Sequence, residues 1–497
     1  MFLNKKRLAL VVILIICLIC LHFYYQSTLE SPDGNLNKEI ANISRYEIDV
    51  VFNPKDTMLS AHQKITIKNR WASELDEIFL HIYPNAYMTK ETAPFTKDAM
   101  QEAYPNGFSS GRIDIKNVFS DDMNLDFHII GTLLKVNLSE PLLSGHTVTI
   151  QIQFDDIIPN CLGRYGYGET TFNLGNWYPI LCVYDQNGWN TDPYHAIGDP
   201  FYSDVAEYEV NISAPKQYTI AASGSLEEKI IKEERMLWRF KSGPIRDFAW
   251  VASEHFETSR ETVGKTRVTS FYHRSDREGG KQSLEYATKA VSFFNEHYGE
   301  YPYGDFAVVS SDFLMGGMEY ANLVMIGIQL YDYPELLEYV VVHETAHQWW
   351  YGLVGNNQIK EAWLDEALTE YSTVLYYENI YGKKTGEMVY NDFIVSNYQF
   401  YEISNTPGHI LRPLSEFKSW EEYDAIIYSK GAIMLKELEA RMGKQKLAEA
   451  LRIYLRENIY ENASTEDFIR AVNKATGTDW SEFIYDCLTE KASPSAA

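Results

Sequence analysis

The segment His343-Glu344-Thr345-Ala346-His347, together with Glu366, predicts the structure of the C-terminal half of this chain. Side chains four residues apart lie on the same face of a helix, so the two histidines can hold one metal ion between them. The 18 residues between His347 and Glu366 (348–365) leave room for a second helix to bring a carboxylate to the same ion. Two imidazoles and one carboxylate leave a coordination position open for water. The segment therefore predicts a catalytic centre with one Zn²⁺ per chain.

The residues beside the ligands predict how such a centre would work. Zinc polarises a scissile carbonyl and acidifies its bound water, and Glu344 can take the proton of that water and pass it to the leaving amine. Glu370 lies one turn after Glu366 on the same helix face and can orient a ligand imidazole. An exposed helix carboxylate is the alternative interpretation of Glu370. The same ligand set also binds cobalt or manganese, so the sequence favours zinc without proving it.

Hydrophobic periodicity divides the rest of the chain into two halves. From Arg45 to about Lys265 the pattern alternates with period two, as in Tyr46-Glu47-Ile48-Asp49-Val50, which predicts an antiparallel sheet or sandwich. Beyond it the pattern predicts helices over Gln282–Tyr298, from Pro334 through His347 to Gly352, and over Lys360–Tyr381. The predicted architecture is a β-rich domain followed by a mainly helical domain with a small sheet.

Length and charge narrow the class of protein. The chain has 497 residues, 45% of them hydrophobic, which suggests two or more domains. A formal net charge of −25 argues against nucleic acid as a partner. Cys161 and Cys182 either pair in an oxidising compartment or stay as two buried thiols. The sequence does not indicate the oligomeric state.

The N-terminus predicts a membrane anchor. Lys5-Lys6-Arg7 precedes the apolar run 8–25, which at about 1.5 Å per residue reaches roughly 27 Å. The basic cluster predicts a cytoplasmic segment 1–7, a transmembrane signal anchor 8–25, a stalk 26–43 and an exported remainder on the extracytoplasmic side of the cell membrane. A cleaved signal peptide is the alternative, although no small-residue cleavage site follows the run.

With these residues in view, the chain resembles the aminopeptidase N-like zinc metallopeptidases, the gluzincin group that includes leukotriene hydrolase. The resemblance covers about residues 44–490 and rests on three motifs. They are His343-Glu344-x-x-His347 with its distant Glu366, Gly316-Gly317-Met318-Glu319, and Tyr428-Ser429-Lys430-Gly431. It implies a β-saddle domain 44–265, a thermolysin-like catalytic domain 266–490, a short tail 491–497, and a short form without the family's C-terminal helical domain.

The resemblance also implies roles for residues outside the zinc motif. Glu319 would bind the free α-amino group of a peptide, with Gly316, Gly317 and Met318 beside the substrate backbone. Tyr428 would donate a hydrogen bond to the oxyanion, and Tyr423 matches another family tyrosine near the site. Tyr320 replaces the family's asparagine and is expected to alter the pocket for the first side chain. A second amine anchor from the β-domain is not placed; Glu169 and Asn173 are candidates.

These implications favour a membrane-anchored zinc aminopeptidase that removes the N-terminal residue of peptides. Two alternatives remain: an endopeptidase or epoxide hydrolase on the same scaffold, and a zinc-binding adhesion or scaffold protein without turnover. Glu344 and Tyr428 argue against the last, since a structural zinc site needs neither. The preferred first residue and the physiological substrate are not predicted.

Overall fold

The N-terminal half is built from strands whose buried side chains alternate. In the computed structural model, which describes residues 43–489, the strand Ser44–Asn53 buries Tyr46, Ile48, Val50 and Phe52 and leaves the residues between them partly or fully exposed. Because successive side chains of a strand point to opposite faces, this pattern gives the sheet one face toward a core and one toward solvent.

Eighteen strands make up this half. They are β1 (Ser44–Asn53), β2 (Met58–Lys68), β3 (Leu75–His81), β4 (Arg112–Ser120), β5 (Met123–Asn124), β6 (Phe127–Ile130), β7 (Leu133–Leu142), β8 (Thr147–Ile157), β9 (Tyr165–Tyr167), β10 (Phe172–Leu174), β11 (Ile180–Leu181), β12 (Tyr184–Asp185), β13 (Gly188–Trp189), β14 (Ala206–Pro215), β15 (Thr219–Ala222), β16 (Ser225–Lys232), β17 (Arg235–Lys241) and β18 (Trp250–Ser253). A short helix, α1 (Met100–Ala103), lies between β3 and β4.

Three sheets share one core in this half. The largest has eight strands in the order β16-β17-β14-β1-β2-β8-β4-β5, and two four-stranded sheets have the orders β15-β18-β10-β9 and β11-β3-β7-β6. Almost all neighbours in the large sheet are antiparallel, but β1 and β14 are parallel. Buried aromatic side chains such as Trp177 and Trp250, with ring centroids 6.0 Å apart, fill the space between the sheets.

The second half begins with a five-stranded sheet. Its strands are β19 (Phe256–Val263), β20 (Thr266–His273), β21 (Asp305–Ser311), β22 (Gly317–Met318) and β23 (Leu323–Gly327), in the order β19-β20-β21-β23-β22. The three central strands are parallel, and the two edge strands are antiparallel to their neighbours. A separate parallel pair is formed by β24 (Gly355–Asn356) and β25 (Asn462–Ala463).

Helices form the remainder of the second half. They are α2 (Arg277–His297), α3 (Pro334–Ala346), α4 (Trp363–Tyr381), α5 (Lys383–Val389), α6 (Ser396–Ser404), α7 (Trp420–Tyr423), α8 (Gly431–Met442), α9 (Lys444–Asn458), α10 (Thr465–Thr476) and α11 (Ser481–Thr489). Three wide π-helical turns connect or extend these helices: Gln348–Leu353, Tyr390–Val395 and Asp424–Lys430.

Helices α3 and α4 are held side by side in the core of this half. Tyr376 on α4 donates a hydrogen bond to the Glu338 carboxylate on α3 at 2.9 Å, and the indole of Trp350 donates to Ser372 at 2.9 Å. Gly382, with φ of +92°, ends α4 in a conformation that favours glycine. The two helices that carry the zinc motif are therefore fixed relative to each other.

The two halves are joined by buried polar contacts. The guanidinium of Arg246 donates to the carbonyl oxygens of Ser203 and Tyr351 at 2.7 and 2.8 Å, and also to Asn462. Tyr320 donates to Asn176 at 2.9 Å, and a Cβ at Gly175 would lie only 1.9 Å from the Tyr320 hydroxyl oxygen. Glycine at that position is what allows the tyrosine to enter the β-domain.

The structure confirms the predicted fold class, a β-rich domain followed by a mainly helical one. The predicted boundary at 265/266 falls in the turn between β19 and β20, and β19 already belongs to the five-stranded sheet. Cys161 and Cys182 are two separate buried thiols.

The predicted membrane segments cannot be compared with this structure. Four predicted segments lie outside the described residues: the cytoplasmic segment 1–7, the anchor 8–25, the stalk 26–43 apart from Ile43, and the tail 491–497. Within residues 43–489, none of the helices combines the length and the apolar character that a bilayer crossing requires.

Candidate metal centre and catalytic cavity

Helix α3 delivers both histidines of the zinc motif. Pro334 is its first residue, where a missing N–H costs nothing, and Leu337, Val341 and Val342 are fully buried. The helix ends at Ala346, but His347 keeps helical dihedrals (φ −60°, ψ −17°), and its N–H donates to the carbonyl oxygen of His343 at 3.2 Å. Both imidazoles therefore stay on one face although the chain then enters a π-helical turn.

Three ligand atoms converge at this face. Nε2 of His343 lies 3.1 Å from Nε2 of His347, and Oε2 of Glu366 lies 3.4 and 3.1 Å from those two nitrogens. A tetrahedral zinc ion with bonds of about 2.0–2.1 Å requires ligand atoms about 3.3–3.4 Å apart. The three residues fit such an ion closely, and all three side chains are buried.

Neighbouring groups fix the histidine tautomers. Nδ1 of His347 lies 3.1 Å from the carbonyl oxygen of Trp350 and 3.1 Å from the Thr369 hydroxyl. A proton on Nδ1 satisfies the carbonyl and leaves the Nε2 lone pair for a metal. Nδ1 of His343 faces Oε1 of Glu370 at 3.3 Å, and the other oxygen of Glu370 accepts a hydrogen bond from Tyr339. The structure thus places Glu370 where it was predicted to orient an imidazole.

The charges of the centre are strongly coupled. Burial by itself would lower the pKa of His347, but the adjacent Glu366 carboxylate outweighs it and raises that pKa to about 10. Burial would raise the pKa of Glu366, yet His347 and His343 hold it well below its usual range. A metal ion bound here would replace the proton that Glu366 favours on His347, because a ligand imidazole must be neutral.

Glu344 lies beside the ligand atoms on the cavity side. Its carboxylate falls within a group, completed by Glu319 and His347, whose ligand atoms all lie within 4.8 Å of one another. Oε2 of Glu344 has no hydrogen-bond partner among residues 43–489. Burial raises the pKa of Glu344 to about 8, against the opposing charges of His343 and His347. The group is a buried carboxylate with a free acceptor oxygen.

The segment Gly316–Glu319 forms the edge of the sheet that faces Glu344. Gly316 has φ of +81°, and a Cβ at Gly317 would lie 2.1 Å from Oε1 of Glu344. Glu319 is 4% exposed and accepts a hydrogen bond from Gln358 at 3.1 Å. Met318 points to the opposite side of this edge strand, where its sulfur accepts from Arg164 at 3.0 Å. Met318 is therefore absent from the lining of the cavity.

The two predicted tyrosines lie on the far side of the ligands. The hydroxyl of Tyr428 donates to Oε1 of Glu366 at 2.6 Å, and its ring stacks on His343 at 5.8 Å. Tyr423 is 1% exposed and packs edge-on against Tyr428 at 5.7 Å. Tyr428 lines the cavity, whereas Tyr423 supports it from behind.

The β-domain completes the cavity with residues that the sequence did not single out. Arg164 and Asp199 form a buried ion pair in its wall. Burial raises the pKa of Asp199 to about 7, although Arg164 opposes the shift. Neither candidate for the β-domain anchor reaches this wall. The amide of Asn173 donates to the carbonyl oxygens of Gly163 and Asp312, and Glu169 lines a different surface groove.

Tyr320 also differs from the expectation. It is 0% exposed and points into the β-domain, away from the cavity, so it does not shape the pocket for the first side chain. The cavity encloses about 460 Å³, within the range of small-ligand sites. No periodicity or motif points to Arg164 or Asp199, because their place depends on how the two halves pack.

Comparisons with known proteins agree with this geometry. The profile described as "Peptidase family M1 domain" matches residues 282–486. A "Probable aminopeptidase 2" of Sulfurisphaera tokodaii is 21% identical over 303 residues, covering 58% of this chain and 39% of that protein. "Aminopeptidase M1-B" of Oryza sativa subsp. japonica is 24% identical over 302 residues, covering 57% of this chain and 34% of that protein. The chain thus spans between a third and two fifths of the length of these relatives.

Solved structures share the fold over nearly the whole described chain. The M1 zinc metallopeptidase from Deinococcus radiodurans matches with a TM-score of 0.67 at 17% identity, covering 91% of this chain and 95% of that one. A mutant of that enzyme bound to a Tyr-Ser-Ala substrate matches with a TM-score of 0.66 at 16% identity and the same coverage. The matched profile identifies residues 282–486 as a Peptidase family M1 domain, and the described chain shares the fold of the two-domain M1 zinc metallopeptidase.

Proposed function

We propose that this protein is a zinc-dependent aminopeptidase that hydrolyses the N-terminal peptide bond of peptides. One observation carries the proposal: the buried carboxylate of Glu319 has an oxygen within 4.8 Å of a carboxylate oxygen of Glu344 and of a ring nitrogen of His347. A fixed negative charge at that distance favours a substrate whose ammonium group lies next to the bond to be broken.

The metal would be held by His343, His347 and Glu366. When bound, zinc polarises the scissile carbonyl and acidifies a water molecule. The metals that suit two imidazoles and one carboxylate include cobalt and manganese, and the family relationship favours zinc among them. The Trp350 carbonyl would keep His347 in the required tautomer, and Glu370, 3.3 Å from Nδ1 of His343, would orient the other imidazole.

Glu344 would act as general base and then as general acid. Its unpartnered Oε2 could accept the proton of the attacking water and then pass it to the leaving amine. The backbone of Gly317 confines the other oxygen, Oε1, so the carboxylate has little freedom to rotate away.

Tyr428 would stabilise the developing oxyanion. Its hydroxyl sits 2.6 Å from Oε1 of Glu366, next to the metal position, and burial together with the charge of Glu366 raises its pKa well above the usual value. The phenol therefore stays protonated, and it would donate to a substrate oxygen by turning its single O–H away from Glu366. Tyr423 fixes the ring from behind.

We also propose that residues 8–25 hold the protein in a membrane with its catalytic half outside the cytoplasm. The support is the apolar run after Lys5-Lys6-Arg7. We expect the full-length protein in the membrane fraction, with its catalytic half digested when protease is added to intact spheroplasts. A catalytic half protected from that protease would contradict the proposed orientation.

The experiment that tests the function compares one peptide with its N-acetylated twin, using the full-length protein in detergent, with and without a chelator. We expect loss of one residue from the free peptide alone, abolished by the chelator and restored by Zn²⁺. Glu319→Gln should lower kcat/KM by about 10- to 100-fold with zinc still bound, because a charge-assisted hydrogen bond is lost. Glu278→Gln, an exposed carboxylate on α2, is the matched control.

The possible results separate the alternatives. Equal cleavage of both peptides would remove the amine-binding role of Glu319 and indicate an endopeptidase. The same pair of peptides would be tested with basic, acidic, aromatic and small first residues. If the zinc-loaded protein cleaves none of them, the proposed activity is contradicted.

A further inference from the structure

A second cavity, larger than the catalytic one, lies between two β-hairpins far from the zinc ligands in sequence. One wall is the hairpin β16–β17, and the other is the hairpin β19–β20. We call this space, of about 600 Å³, the hairpin groove. None of the proposed catalytic or substrate-binding residues lines it.

The walls of the hairpin groove are aromatic. Trp238 and Phe240 stand on one hairpin, and Phe256 and Phe271 face them from the other. The indole N–H of Trp238 is buried and has no acceptor among the described residues.

The rim of the hairpin groove carries two cations that no carboxylate neutralises. The ammonium of Lys229 lies 3.7 Å from the centre of the Trp238 ring, and Arg260 approaches from the opposite hairpin. Within residues 43–489, neither Lys229 nor Arg260 has a carboxylate at salt-bridge distance. Partial desolvation of its ammonium group at the rim, and then the like charge of Arg260, lower the pKa of Lys229. The two cations therefore repel each other.

The acidic residues of the hairpin groove are already paired. Asp305 binds Arg267 and accepts a hydrogen bond from Ser225 at 2.6 Å. Glu257 is held by both arms of Arg277, at 2.8 and 2.9 Å. Lys229 and Arg260 are thus left as an excess positive charge beside an aromatic cavity, in a chain whose formal net charge is −25.

We propose that the hairpin groove is a binding site for a small carboxylate that carries a flat apolar body. The carboxylate would lie between Lys229 and Arg260, where it relieves their repulsion, and the apolar body would stack between the facing aromatic rings. The volume of the groove matches that of sites for small ligands, about 300–1,000 Å³. The site is independent of the proposed peptidase chemistry.

The test is calorimetric binding of N-acetyl-L-tryptophan to the full-length zinc-loaded protein, with the catalytic zinc blocked by an amino-acid hydroxamate. A ligand of this size should bind with a Kd of about 0.1–1 mM. We expect the neutral analogue N-acetyl-L-tryptophanamide to bind at least about tenfold more weakly, because it lacks the charge.

Variants locate the binding in the groove. Lys229→Gln and Arg260→Gln should each weaken the acid about tenfold, and the double variant should abolish detectable binding. Both side chains are exposed at the rim, so the fold should persist, which an unchanged Tm would verify. Lys55→Gln and Arg456→Gln, exposed cations elsewhere, are the controls and should bind like the parent protein.

Three outcomes would overturn the proposal. The first is that the acid does not bind at concentrations up to 10 mM, about ten times the weakest expected Kd. The second is that the acid and the amide bind with equal affinity. The third is that the double variant binds the acid as tightly as the parent protein. Because calorimetry registers binding whether or not peptides are cleaved, these outcomes are distinct from failure of the proposed peptidase activity.

Discussion

Replacement of Gly317 by alanine is expected to displace the proposed general base, Glu344, without disturbing the proposed metal ligands. The new Cβ would lie 2.1 Å from Oε1 of Glu344, 2.5 Å from its Cδ and 2.7 Å from its Cγ. Gly317 does not have the left-handed backbone that excludes alanine, so the substitution acts through this contact. None of the three metal ligands is among the three nearest atoms.

The magnitude follows from the distance that the carboxylate must move. Ordinary van der Waals contact begins near 3.4 Å, so Oε1 of Glu344 has to retreat by about 1.3 Å. A displacement of about 1 Å in a catalytic group typically costs about 100-fold in rate. We therefore expect kcat/KM to fall about 100-fold, which corresponds to roughly 2.7 kcal/mol of transition-state stabilisation.

The assay is hydrolysis of an aminoacyl-4-nitroanilide at a series of concentrations, with zinc content measured on the same samples. Gly316→Ala is the contrasting variant, since its φ of +81° strains alanine while its Cβ meets nothing within 4 Å. It should lose about 1 kcal/mol of stability and less than tenfold in kcat/KM. A Gly317→Ala enzyme with kcat/KM within threefold of the parent, or one that has lost zinc, would refute the reasoning.

Three further outcomes are expected. Removing zinc with a chelator should lower Tm, because metal present at 1,000 times its Kd stabilises the folded state by about 4 kcal/mol, and calorimetry with and without added Zn²⁺ measures this. Arg246→Lys should destabilise the protein by about 3 kcal/mol or more, since lysine cannot span the acceptors that Arg246 binds, and urea denaturation would register it. Asp156→Asn should raise Tm at pH 7, because burial raises the pKa of Asp156 well above 3.8 and both its carboxylate oxygens lack partners among residues 43–489. Folding then takes up a proton. The free-energy cost of this uptake grows as pH rises above the unfolded pKa of about 4 and vanishes below it. Equal Tm gains at pH 4 and pH 7 would therefore contradict the assignment.

The sequence predicts those parts of the molecule that depend on local periodicity. The alternation in Ser44–Asn53 reproduces the burial of β1, and the spacing of His343, His347 and Glu366 corresponds to three converging ligand atoms. The predicted positions of the helix ends are less accurate. The predicted helix Gln282–Tyr298 begins at Arg277, because Gly279 and Gly280, which argue against a helix, allow its first turn to pack against Tyr331 and Tyr272.

Features that depend on packing between distant segments could not be predicted from the sequence. Tyr320 follows Glu319 directly, yet its hydroxyl enters the β-domain through the space left by Gly175. Arg164 and Asp199 come from the β-domain, and only the docking of the two halves brings them to the zinc ligands. No local pattern encodes such a contact, so sequence reasoning proposed Glu169 and Asn173 instead.

The contacts of Arg246 have a consequence for how the protein is made. This one guanidinium joins Ser203, Tyr351 and Asn462, which enter the growing polypeptide at widely separated times during translation. The full set of Arg246 contacts therefore cannot form until the ribosome has passed residue 462. A nascent chain that already contains all three proposed zinc ligands, the last of them Glu366, therefore still lacks the Arg246–Asn462 hydrogen bond.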